Sequence, residues 1–166
     1  MDEEIKVKLR RYRKNIELNG KAMLLIGFWT VAKYFMIICF SDKTVMDLMG
    51  VTEEELEEYG IVETVAFFLI LGVIFLMYVY LGRRAIIFAK GKKNNVFFLV
   101  FAAIFMLLTF AGLPGYFIEI KNDPSQFDTI LAALFIDITT CFALGDMIYA
   151  AIQVNRLSKG TVLSEV

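Results

Sequence analysis

Val96–Ile118 reads VFFLVFAAIFMLLTFAGLPGYFI, twenty-three consecutive residues without a charge. A helix needs about 20 apolar residues to cross a hydrocarbon core of about 30 Å, so this stretch alone is long enough to span a bilayer. A buried helix of a soluble core would be shorter and would keep a polar face. Three further runs share its character. Ala22–Phe40 is nineteen residues with one charge, Lys33; Ile61–Gly82 is twenty-two, with Glu63 near its start; Thr129–Ile152 is twenty-four, with Asp137 and Asp146 inside. The chain as a whole agrees, with 166 residues, 58 % hydrophobic content and a mean hydropathy of +0.65. So short a chain has too little interior to hide that much apolar surface from water. The expected fold class is all-α: one integral membrane bundle of four transmembrane helices, spanning about 22–40, 61–82, 96–118 and 129–152. The first run is too long for a signal-peptide core, and Cys39-Phe40-Ser41 offers no small-residue cleavage site, so it is expected to stay as a span.

The net charge of −1 conceals strong segregation. The N-terminal segment carries Lys6, Lys8, Arg10, Arg11, Arg13, Lys14 and Lys21. The second loop adds Arg83, Arg84, Lys90, Lys92 and Lys93, and the tail adds Arg156 and Lys159. The first and third loops hold only Lys43 and Lys121, so the count is fourteen against two. The positive-inside rule then places both termini in the cytoplasm, N-in and C-in, in the cell membrane if the source is bacterial. The basic residues imply anionic lipid at the cytoplasmic face as one partner, and no nucleic acid.

Ile5, Leu9, Tyr12 and Ile16 follow a 4-3-4 spacing, one helical stripe with basic residues filling the other faces. This predicts an N-terminal amphipathic basic helix over 5–18 lying in the headgroups, within a cytoplasmic basic segment 1–20, with Asn19-Gly20 turning the chain into the span domain 21–152; residues 153–166 read as a cytoplasmic tail. Alternatively, the basic stretch only fixes topology. Thr52-Glu53-Glu54-Glu55 is a capping box, with Val51 and Leu56 as a staple, and predicts a helix running past Gly60 into the second span. Thr44–Met49, closed by Gly50, reads as a shorter helix. The glutamates around it lack the spacing of a calcium loop and read as a solvated acidic face. Leu113-Pro114-Gly115 is expected to kink or end the third span.

Enzyme chemistry is poorly served. The absence of histidine removes His-based triads, HExxH metalloproteases and His-ligated haem. All four serines lie outside the spans, so an intramembrane serine nucleophile is lacking. Ala143-Leu144-Gly145-Asp146 lacks the first glycine of the Gly-x-Gly-Asp of intramembrane aspartyl proteases. Asp137 and Asp146 stand roughly 13 Å apart along one helix and cannot share a proton within the chain. Cys39 and Cys141 form no C-x-x-C and read as small apolar fillers. No metal set and no cofactor is implied.

In the fourth span, a 100° projection puts Ala132, Ile136, Thr139, Ala143, Asp146, Ala150 and Gln153 on one side, with Asp137, Thr140 and Leu144 on the adjacent arc. Phe135, Phe142, Tyr149 and Ile152 fall opposite. This predicts a small and polar half facing protein and a large apolar half facing lipid. Thr30, Thr140, Asp146 and Glu63 are the candidate interior polar residues. Asp146, level with the basic second loop, is expected either to bond Arg83 or Arg84 or to stay hydrated at the interface. Lys33 and Asp137 reach the same depth when counted from opposite surfaces, and pairing removes most of the cost of burying each. The expectation is an ion pair between the first and fourth helices.

The functional reading is a non-enzymatic protein acting through helix association, as a homo-oligomer or as the small subunit of a membrane assembly. The alternative is a small transporter or channel whose ion or cationic-solute path is lined by Asp137, Asp146 and Lys33. A membrane enzyme is the third class.

Overall fold

In the computed structural model, residues 3–40, 53–91, 97–122, 124 and 127–163 are described. The chain is all-helical there: α1 (Glu3–Phe40), α2 (Glu53–Ala89), α3 (Phe98–Asn122) and α4 (Phe127–Leu163). Among the described residues, three helical segments are long and apolar enough to cross a membrane: Thr64–Ala89, Phe98–Ile118 and Ile130–Ser158. The first apolar run, Ala22–Phe40, forms the C-terminal half of α1.

The helices differ from the expected spans mainly in length. At 1.5 Å per residue, the 38 residues of α1 and the 37 of α4 extend about 57 Å and 55 Å, against about 30 Å of hydrocarbon. Asn19-Gly20 makes no turn, because α1 passes straight through it. The basic stretch over 1–20 is thus continuous with the first apolar run. Residues 153–163 continue α4. The helix read from the capping box is present: α2 begins at Glu53 and continues through Gly60. The short helix at 44–49 lies outside the described residues. α3 runs on through Pro114 to Asn122. Proline removes the bond to the carbonyl four residues back, here Phe110, and its ring crowds that carbonyl, but the helix resumes beyond it.

The chain divides into two compact units, residues 1–23 with 81–166, and residues 24–80. In the larger unit, α3 and α4 are packed neighbours. The stripe of α1 that the 4-3-4 spacing marks is its most enclosed face: Ile5, Leu9 and Tyr12 are half-buried, Ile16 fully buried. It continues into Gly20, where a Cβ would stand 2.9 Å from the Gly82 carbonyl oxygen and 3.1 Å from the Ala85 Cβ. Only glycine admits this approach of α1 to α2. α2 closes at Gly91 (φ +70°), whose N–H donates to the Phe88 carbonyl at 2.9 Å. The Phe88 ring then meets Phe98 at the start of α3, with centroids 5.6 Å apart. Ile16, Ala85, Phe88, Met147, Ala150, Ala151 and Val154 are all buried, so this unit concentrates its core at the end that carries the basic residues. In the smaller unit, a Cβ at Gly27 would lie 2.5 Å from the Tyr78 Cβ, and Tyr34 meets Phe67 edge to face at 5.6 Å.

Candidate functional site

Two polar groupings stand on α4, both in the larger unit. The first lies in the seam with α3. The Tyr116 hydroxyl donates to Asp137 Oδ2 at 2.6 Å, within the range of an O–H bond to a carboxylate. Beside it Thr140 is fully buried, and its hydroxyl donates to the Ile136 carbonyl. Cys141 Sγ lies 4.0 Å from the Met106 carbonyl oxygen, and the Met106 sulfur faces Gly145. Sequence reasoning missed Tyr116. The signal was available in the hairpin: Tyr116 is eleven residues before Phe127 and Asp137 ten after it, so the two stand at one height on antiparallel neighbours.

The second grouping joins α1 to α4. Asn19 Nδ2 donates to Asp146 Oδ2 at 2.7 Å, and Tyr12 meets Tyr149 edge to face at 6.2 Å. Tyr12, Ile16 and Asn19 occupy successive turns of one face of α1, which is why a single stripe makes both contacts. Hydrogen bonding with Tyr149 is the main cause that holds the Tyr12 phenol above its ordinary range, with burial adding and the charges of Arg11 and Lys8 opposing. Asp146 thus has an amide partner that the sequence reading did not name.

The face that α4 turns inward also differs from the expected one. Its buried positions are Ile130, Thr140, Leu144, Met147, Ala150, Ala151 and Val154, whereas Ala132, Phe135, Thr139, Phe142, Asp146, Tyr149 and Ile152 form an exposed stripe. The seam is centred on the arc that was placed beside the polar side. Asp146 is exposed in the single chain and Asp137 is half-buried. Of the half read as protein-facing, Thr140, Leu144 and Ala150 are buried and Ala132, Thr139 and Asp146 are exposed; a threonine in a helix needs no neighbour, since Thr30, Thr109, Thr139 and Thr140 each bond the carbonyl four residues back.

Lys33 and Thr30 belong to the smaller unit, where the Lys33 ammonium lies 5.8 Å from the Tyr34 ring centroid and Thr30 is half-buried. Asp137 belongs to the larger unit. The side chain of Glu63 lies outside the described residues. Among the basic residues, Lys6, Lys8, Arg10, Arg11, Lys14, Arg83 and Lys90 are exposed, while Arg13 and Arg84 are half-buried; Lys92 and Lys93 fall outside the described residues. Arg13 Nη1 stands 3.5 Å from where a Cβ on Gly91 would be, so its charge meets the negative end of α2. Its Nε is buried without a hydrogen-bond partner among the described residues. Lys8 and Lys21 pair with Glu4 and Glu17 at 2.6 Å and 2.7 Å, and each hydrogen-bonded ammonium holds its carboxyl below the ordinary range. Among the described residues, no three Cys, Asp or Glu side chains gather to hold a metal ion. Comparison with protein-family models, with curated proteins and with solved structures finds no match to this chain.

Proposed function

We propose that the chain is a four-span membrane protein with both termini in the cytoplasm, acting through helix association with itself or with a larger membrane assembly. The observation that carries this reading is the face of α3 around Ala111, Gly112 and Gly115. All three are exposed, and a Cβ at either glycine would meet nothing within 4 Å. Small residues in a span let a second helix approach closely, which is how association is driven where lipid is as apolar as the side chains. The tight glycine positions Gly20 and Gly27, by contrast, are already occupied by the chain's own helices. Detergent-solubilised mass measurement tests the reading. The wild type is expected as an oligomer or with a co-purifying partner, and Gly112→Leu with Gly115→Leu as a folded monomer. A wild-type monomer with no partner overturns it. The fourteen-to-two segregation of Lys and Arg supports the orientation, with anionic lipid attracted to the basic side.

A second reading, an ion or cationic-solute path, rests on Asp137, a half-buried carboxylate within a span and held by Tyr116. Its test is flux in proteoliposomes, lost on Asp137→Asn. The Lys33–Asp137 pair is tested by charge swap: either reversal alone lowers the folded yield, and the double reversal restores it.

A further inference from the structure

Along the exposed stripe of α4, Phe142, Asp146 and Tyr149 follow one another at i, i+4 and i+7. Phe142 is 74 % exposed and Tyr149 54 %. Read from the middle of the span toward its basic end, the order is an apolar ring, a carboxylate and an aromatic ring. α1 completes the group: Asn19 bonds one oxygen of Asp146, and the Tyr12 ring stands edge to face against Tyr149. The carboxylate is level with Asn19 and so with the Gly20–Gly82 crossing, where the apolar runs of α1 and α2 end. This is headgroup height for a bilayer whose hydrocarbon covers the apolar runs.

An exposed carboxylate and an aromatic face together recognise one chemistry, an ammonium group. The carboxylate supplies the opposite charge and the ring supplies its negative face, a combination suited to a cation partly removed from water. The apolar ring one turn toward the membrane interior would lie against an acyl chain. Arg11 and Lys8 on α1 are near enough for their charges to act on Tyr12, and such positive neighbours suit a molecule that brings a phosphate with its ammonium. We propose that the α1–α4 seam at Asp146 and Tyr149 binds the headgroup of an ammonium-bearing phospholipid. This site is separate from the small-residue face of α3 and does not depend on association through it.

The purified full chain, in mixed micelles with equal amounts of phosphatidylethanolamine and phosphatidylglycerol, is examined by native mass spectrometry. The wild type is expected to retain phosphatidylethanolamine preferentially. N-acylation of that lipid, which removes the ammonium and keeps the tails, is expected to abolish the preference. Asp146→Asn keeps an oxygen for the Asn19 amide and so preserves the seam, but it should lower the preference about tenfold, the effect of losing a charge-assisted bond. Asp146→Glu should restore most of it, and Tyr149→Leu should lower it by a smaller factor. Preference for phosphatidylglycerol, or the same lipid ratio in the wild type and Asp146→Asn, overturns the proposal. So does a co-purifying protein that protects Asp146 from carbodiimide labelling, because the occupant would then be a partner chain.

Discussion

Ile16, Met147 and Ala150, at the basic end of the larger unit, have no exposed surface, whereas Leu107, Leu108 and Phe110 in the middle of α3 are 63 %, 66 % and 64 % exposed. The same kind of apolar side chain is enclosed in one region and bare in the other. Where charged residues ring the helices, apolar groups gain by leaving water and the protein must supply the enclosure. Along an apolar span the lipid supplies it, so helix contact there depends on fit and hydrogen bonds rather than on burial. The two regions therefore hold together for different reasons, and substitutions should separate them.

The largest difference is expected from cavity-forming changes. Ile16→Ala or Met147→Ala should destabilise the protein by about 2–5 kcal/mol, the range for a buried side chain that its surroundings cannot replace. Leu107→Ala should cost well under about 1 kcal/mol, since lipid fills the space. Unfolding in mixed detergent measures both, and equal losses would break the comparison. Next come the glycines. Gly20→Ala and Gly27→Ala put a methyl group against the Gly82 carbonyl and the Tyr78 Cβ, and each should cost about 1–3 kcal/mol from overpacking. Gly72→Ala, facing open space, should be neutral or raise stability by up to about 1 kcal/mol through helix propensity. A smaller effect is expected for Tyr116→Phe, which deletes the bond to Asp137 and should cost about 0.6 kcal/mol and no more than about 1.7, the mean and maximum of measured interhelical bonds in membranes. Smallest is the response to acid at the exposed Glu17–Lys21 pair. The Glu17 carboxyl is held below its ordinary value of 4.5, so the pair's contribution is complete above that pH and fades as pH falls through the lowered value. Glu17→Gln should abolish that dependence in a thermal melt, and should change little else.

Much of this organisation was legible in the residues. The apolar runs, the capping box before α2 and the Ile5–Leu9–Tyr12–Ile16 stripe each follow from periodicity and turn chemistry, and each has its counterpart in the helices. What the stripe would face was not legible. A basic amphipathic helix suits a headgroup layer and a neighbouring helix equally well, and the choice rests on Gly20, whose role needs the α2 backbone beside it. Asp137 shows the same limit. Depth counting offered it Lys33, a pairing that the charge swap tests, and overlooked the tyrosine on the adjacent helix, whose hydroxyl satisfies one carboxylate oxygen without a second charge.

By itself the sequence determined the helical class, the apolar lengths and the segregation of charge, because these depend on local periodicity and on transfer from water, which each segment carries alone. Only the tertiary structure decided that Asn19 meets Asp146 and Tyr12 meets Tyr149, that α4 turns Met147 inward and leaves Asp146 exposed, and that Gly20 marks a crossing rather than a turn. Those outcomes depend on the rotation of each helix about its own axis. In an apolar span burial barely restrains that rotation, and close packing against a particular neighbour fixes it.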